Sequence, residues 1–169
     1  MNRRTVCTCV VVMMSVLTVA LATSVRAETA TAYSFNLITP NTAMAPSGDF
    51  AGDTIRLTGS GAFDTAGTVV GSGSFQHIKP DGTVFVRGTW VATGFVSFWS
   101  FGGPNGGTQG GVLVITVTLM PVGGSPHPGI SMTVNCLVNK PAAFTGEEGT
   151  AVDGFTERTG GETLFHITT

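Results

Sequence analysis

The chain has 169 residues, 42% of them hydrophobic and only 11% charged, with 24 glycines, three cysteines, eight basic and ten acidic side chains. Arg3, Arg4 and Arg26 lie in the first 27 residues while every carboxylate lies beyond them, so the remainder carries five scattered cations and an acidic excess. That balance excludes a basic stripe able to track phosphates, and nucleic acid is not an expected partner.

Residues 1–27 read as a secretory signal. Asn2-Arg3-Arg4 forms a charged start, Val10 to Ala22 an apolar run, and Val25-Arg26-Ala27 the approach to a cut before Glu28. The run is short of the roughly 20 residues that a bilayer span needs, and no stop-transfer pattern follows. The expectation is export to a secreted or periplasmic location, with no stable membrane anchor after cleavage. No Asn-x-Ser/Thr acceptor is present, in keeping with a bacterial secreted protein. Only Cys136 lies beyond the cut, so no internal disulfide can form and stability must come from packing. Residues 28–169 suffice for a single domain that buries roughly 70% of its extended-chain surface.

Beyond Glu28 no stretch holds helical periodicity over three turns, and short alternating runs are punctuated by Gly and Pro. Tyr33 to Ile38 is predicted as a strand with Tyr33, Phe35 and Leu37 on one face, and Thr39 to Gly52, with Pro40 and Pro46, as an irregular connection. Thr54 to Asp64 is a second strand, placing Ile55, Leu57 and Phe63 with Gly59 and Gly61, and Arg56 on the other face. Thr65-Ala66-Gly67 turns the chain into the central stretch, Thr68 to Phe101. There Lys79-Pro80-Asp81-Gly82 has the residues of a type I turn closed by a left-handed glycine. A regular hairpin around it pairs Lys79 with Thr83, Ile78 with Val84, His77 with Phe85, Phe75 with Arg87 and Ser72 with Trp90. Gly59/Gly61 and Gly71/Gly73 occupy matching alternate positions in neighbouring strands. Glycine weakens a strand, so its repeated use implies sharp curvature or room for a large side chain opposite.

Phe95 to Phe101 reads as a separate strand after Thr93-Gly94, with Phe95, Trp99 and Phe101 on one face and Val96 and Phe98 on the other. The loop 102–111 is nearly all backbone. Val112 to Met120, the most apolar run, reads as a central strand, and Ile130 to Val138 as the next, with Met132, Val134 and Cys136 on one face. Thr150 to Thr156 and Thr163 to Thr168 are predicted to form a last hairpin. The fold expected is all-β: an antiparallel, strongly curved sheet forming a closed or nearly closed barrel of about eight strands.

No residue pattern names a reaction. His77, His127 and His166 show neither mutual spacing nor a carboxylate partner suited to a metal, and no metal or cofactor is expected. There is no G-x-S-x-G, and the 102–111 loop lacks the Lys and Ser/Thr order of a phosphate loop. Cys136 has the apolar neighbours of an inert core thiol. Asp153, Glu157 and Glu162 fit a solvated hairpin end. Arg87 sits mid-strand where it can stack on an aromatic ring, or anchor an anion or carbonyl at a barrel mouth with Arg56. Trp90, Phe95, Phe98, Trp99 and Phe101 fall within twelve positions. They either fill a core or line an apolar pocket.

Gly-x-Gly strands that lead into Gly88-Thr89-Trp90, followed by a glycine loop and an apolar strand, resemble uncharacterised secreted bacterial proteins. In general plan these are similar to the small barrels of the allene oxide cyclase and dirigent type. The resemblance implies a barrel whose apolar interior and few polar residues steer cyclisation or radical coupling; it assigns no residue here. The leading functional expectation is a binding module, monomeric or weakly self-associating. It would hold a small apolar ligand inside the barrel near Trp90, with Trp99, Arg87, His77 or Arg56 at the rim. A cyclase- or isomerase-like enzyme using the same pocket, with Asn135 or Arg56 turned inward, is the second reading. A structural envelope or matrix protein with a filled core is the third.

Overall fold

Alternation of large apolar and small residues from Tyr33 onward sets the architecture, because each strand has one face that must be buried. The computed structural model describes residues 30–104 and 107–168, so the expected signal segment 1–27 lies outside the described residues. Nine strands form: β1 (Ala32–Met44), β2 (Thr54–Asp64), β3 (Val69–Ile78), β4 (Val84–Gly102), β5 (Thr108–Pro121), β6 (His127–Cys136), β7 (Gly149–Val152), β8 (Glu157–Gly160) and β9 (Thr163–Thr168). All pairings are antiparallel. Six strands close into a ring in the order β4-β3-β2-β1-β9-β5, with β5 returning to β4. β6 and β7 continue the sheet from β5, and β8 lies beside the second half of β1. No helix among the described residues is long and apolar enough to cross a membrane.

The glycine pairs explain how the interior is filled. Trp90 is fully buried, and its indole N–H donates to the Thr58 carbonyl at 2.9 Å. A methyl group at Gly73 would stand 2.6 Å from the Trp90 ring nitrogen, and one at Gly59 only 2.5 Å from its Cζ2. Gly61 and Gly71 open the equivalent space for Phe35. Around Phe63 the rings of Tyr33, Phe95, Phe98 and Phe165 pack at centroid distances of 4.8–6.0 Å and fill one end of the ring.

Several expectations are corrected. The turn forms as read, with Lys79 N–H bonded to Thr83 O at 2.8 Å and Gly82 at φ 86°. Ile78 pairs with Val84, but a bulge at Phe85 then shifts the register by one. His77 pairs with Val86, Gln76 with Arg87, Phe75 with Gly88 and Gly73 with Trp90. The bulge is the reason a glycine, not Ser72, faces the indole. β1 does not stop at Ile38. It bulges across Ile38–Pro40, where proline's missing N–H costs no ladder bond, and resumes to Met44. The segment expected to begin at Phe95 is the second half of β4. Shifts at 92–94, 95–97 and 100–102 turn Phe95 and Phe98 toward the core and leave Trp99 exposed. The expected last hairpin does not form, since β7 pairs with β6 while β9 pairs with β1 and β5.

Where β6 and β7 meet β8 and β9, side chains replace the ladder. Thr163 Oγ1 bonds the Asn135 carbonyl at 2.5 Å, and Glu148 accepts from Thr163 N–H at 3.0 Å and Leu137 N–H at 2.7 Å. Arg158 donates to the carbonyls of Gly149 and Thr133 at 3.2 and 3.3 Å.

Candidate functional site

The end of the ring opposite the Phe63 cluster is open. A cleft of about 540 Å³ lies there, built from the ends of β3 and β5, the starts of β4 and β6, the 122–124 turn, and Phe50 and Phe155 from flanking loops. Its floor is Ile55 and Phe75, and Phe85, Val86, Leu119 and Ile130 form its sides. Apolar walls with a few polar groups are the usual make-up of a small-molecule site.

The buried polar group is His77. β3 alternates inward from Phe75, so position 77 faces the interior one step nearer the open end, and its side chain is almost wholly buried. Its Nε2 lies 2.6 Å from Asp53 Oδ2, and the Lys79 ammonium lies 2.8 Å from the same oxygen. Asp53 is presented by a tight loop in which Ala45 N–H bonds Asp53 O at 2.9 Å and Asp53 N–H bonds Phe50 O at 2.8 Å. Gly48 and Gly52, at φ 81° and 83°, allow that loop to turn. The hydrogen bonds from Lys79 and His77, and their charges, hold the Asp53 carboxyl below the usual carboxylate range. An ionised carboxylate only accepts, so His77 Nε2 carries the proton of this bond and Nδ1 is the ring nitrogen turned away from Asp53. Among the described residues Nδ1 has no hydrogen-bond partner.

Rings surround this imidazole. Phe50, Phe85 and Phe155 meet it edge-on at 5.0–5.1 Å between centroids. Phe85 is on the spot because the bulge displaces it from the ladder, and it also carries the Lys79 ammonium 4.5 Å from its centroid. One device, the extra residue in β4, therefore shapes both the wall and the charge cluster.

Of the residues expected to touch a ligand, only His77 lines this cleft. Trp90 lies in the filled core beneath it. Arg56 and Arg87 are exposed on the outer face, where the shifted register sets each beside Gln76 of β3 and moves Arg87 off Phe75. Arg87 borders a separate outer groove of about 370 Å³ with Gln76 and Val84. Trp99 is at the far end, edge-on to Phe101 at 5.0 Å and Phe144 at 5.8 Å. Asn135 is buried in the seam with its amide on Glu147 O at 2.9 Å, away from the cleft. His166 on β9 does not meet His77, because β3 and β9 are not neighbours, whereas His127 starts β6 and lines the cleft. No group of three metal-ligating side chains occurs among the described residues. Sequence reasoning missed Asp53, Phe50 and Phe155. The one available signal was the pairing of Thr54 with Ile78, which brings the residue before β2 beside the end of β3.

Comparison of the chain with protein-family models, with curated proteins and with solved structures finds no match.

Proposed function

We propose that this is an exported binding module that takes a small apolar, ring-bearing molecule into the open end of its strand ring, with no nucleic-acid partner. The observation that carries the reading is the cleft of about 540 Å³ walled by Phe50, Phe75, Phe85 and Phe155 around a single buried imidazole. Apolar burial supplies the affinity, and the buried His77–Asp53–Lys79 group, with exposed His127 across the cleft, supplies the polar landmarks. Residues 1–27 serve export in this reading, and the mature chain acts as a monomer or a weak homo-oligomer. The ring interior near Trp90 is packed, so the ligand sits at the mouth and not in the middle.

The uncharged fluorescent probe N-phenyl-1-naphthylamine tests this directly. Its emission should rise on binding to the wild type. Phe85→Ser, which alters an exposed residue, should weaken that binding about tenfold, or ~1.4 kcal/mol. Trp99→Ser at the far end should leave it unchanged. Equal binding by all three proteins, or none by the wild type, overturns the assignment.

A further inference from the structure

The wall of the cleft holds more than binding requires. An imidazole buried beside an apolar space needs only one hydrogen bond to be tolerated, yet His77 is fixed by an ionised carboxylate that is itself held by Lys79. Three aromatic edges lock the ring plane. This is the arrangement of a base with an orienting group behind it: Nε2 is held on Asp53, which leaves Nδ1 as the ring nitrogen that could take a proton. We infer that His77 is a general base that removes a proton from the molecule held in the cleft, with Asp53 as its positioning residue. The inference rests on the cleft being a ligand site, and it adds a reaction to that site.

The substrate class follows from the surroundings. The walls are aromatic and aliphatic apart from the two histidines, and no carboxylate is among the lining residues. Lys79, paired with Asp53 at the same end, offsets that carboxylate's repulsion of the negative charge that builds on the substrate as the proton leaves. A ring-bearing carbonyl compound with an acidic C–H fits. Nδ1 takes the proton, the C–H pair becomes the carbon–carbon π bond of an enolate, and the carbonyl π pair moves to oxygen. In a β,γ-unsaturated substrate the enolate is conjugated to the C=C bond, so return of the proton from imidazolium to the γ carbon shifts that double bond and completes an isomerisation with nothing oxidised or reduced.

The probe reaction is the ring opening of 5-nitrobenzisoxazole, a small aromatic that needs only a base. The base takes the ring C–H proton, the C–H pair forms the nitrile bond, and the N–O bond breaks to leave a coloured phenolate. The wild type should exceed an equal concentration of free imidazole by about 100-fold. His77→Gln keeps a donor for Asp53 but has no basic nitrogen, and it should fall to the imidazole-free background. Asp53→Asn should lower kcat about tenfold with KM nearly unchanged, a split that a purely structural carboxylate would not produce. Near-UV circular dichroism of each variant checks that it is folded. A wild-type rate no greater than that of imidazole, or a His77→Gln rate equal to wild type, overturns the base while leaving the binding reading intact. Failure of the wild type to bind the naphthylamine overturns both.

Discussion

At the scale of single residues, the molecule turns on what two side chains require of their neighbours. Trp90 needs two glycines across from it, and its ring nitrogen needs the Thr58 carbonyl. Gly73→Ala should therefore destabilise the fold by about 1–3 kcal/mol through overpacking, read from the urea midpoint. Trp90→Ala, which empties the same space, should cost about 3–5 kcal/mol. Asp53 needs its two donors, Lys79 and His77. Its pKa is lower folded than unfolded, so its ionised form favours folding at pH values above the unfolded carboxylate value of about 3.9. That contribution is lost as pH falls through the lower folded value. Asp64 and Asp81, held down by Thr68 and Thr83, act with the same sign. Urea midpoints should hold from neutral pH down to about 5 and fall below about 4. The gap between wild type and Asp53→Asn should close in the same acid range. A gap that stays constant to pH 2 would show that the charge is irrelevant. The space that Trp90 demands was legible in the glycine spacing, although the partner expected was Ser72. The Asp53 pair was not legible, because a carboxylate in a loop carries no periodicity to tie it to a strand.

At the scale of elements, the departures from regular pairing decide which side chains face inward. Alternation identified β2 with its bounds and the inward faces of β5 and β6, since period 2 reports burial directly. It failed wherever one residue is inserted. The Phe85 bulge moved the register of the whole β3–β4 pair, and the shifts near Gly94 and Ser97 separated Phe98 from Trp99. An inserted residue leaves local composition unchanged, so the sequence offers no mark of it. The seam between β6–β7 and β8–β9 was hidden for another reason: its bonds come from Glu148, Thr163 and Arg158, in segments with no shared pattern. Glu148→Ala removes the acceptor for the Leu137 and Thr163 N–H groups. It should cost about 2–3 kcal/mol and raise amide exchange at Leu137 and Thr163 before exchange in β2 or β3. Uniform exchange across the ring would show that the seam is no weaker than the ladders.

At the scale of the whole molecule, the ring has a packed end, where Phe63 gathers five other rings, and an open end, where the chain returns through short turns that leave a cleft. Curvature and an all-β fold could be read from the glycines and short runs, and so could a choice between core and pocket for the aromatic residues. Which end stays open depends on loops 45–53 and 122–126 and on Phe155, whose positions are set by tertiary packing alone. The central claim is that this open end is a ligand site. The most direct test is a ¹H–¹⁵N NMR titration with N-phenyl-1-naphthylamine, followed residue by residue. Shift changes concentrated at His77, Phe85, Val122, His127 and Phe155 are the predicted result. Changes centred on Trp99, Phe101 and Phe144, or none at saturating probe, would contradict it.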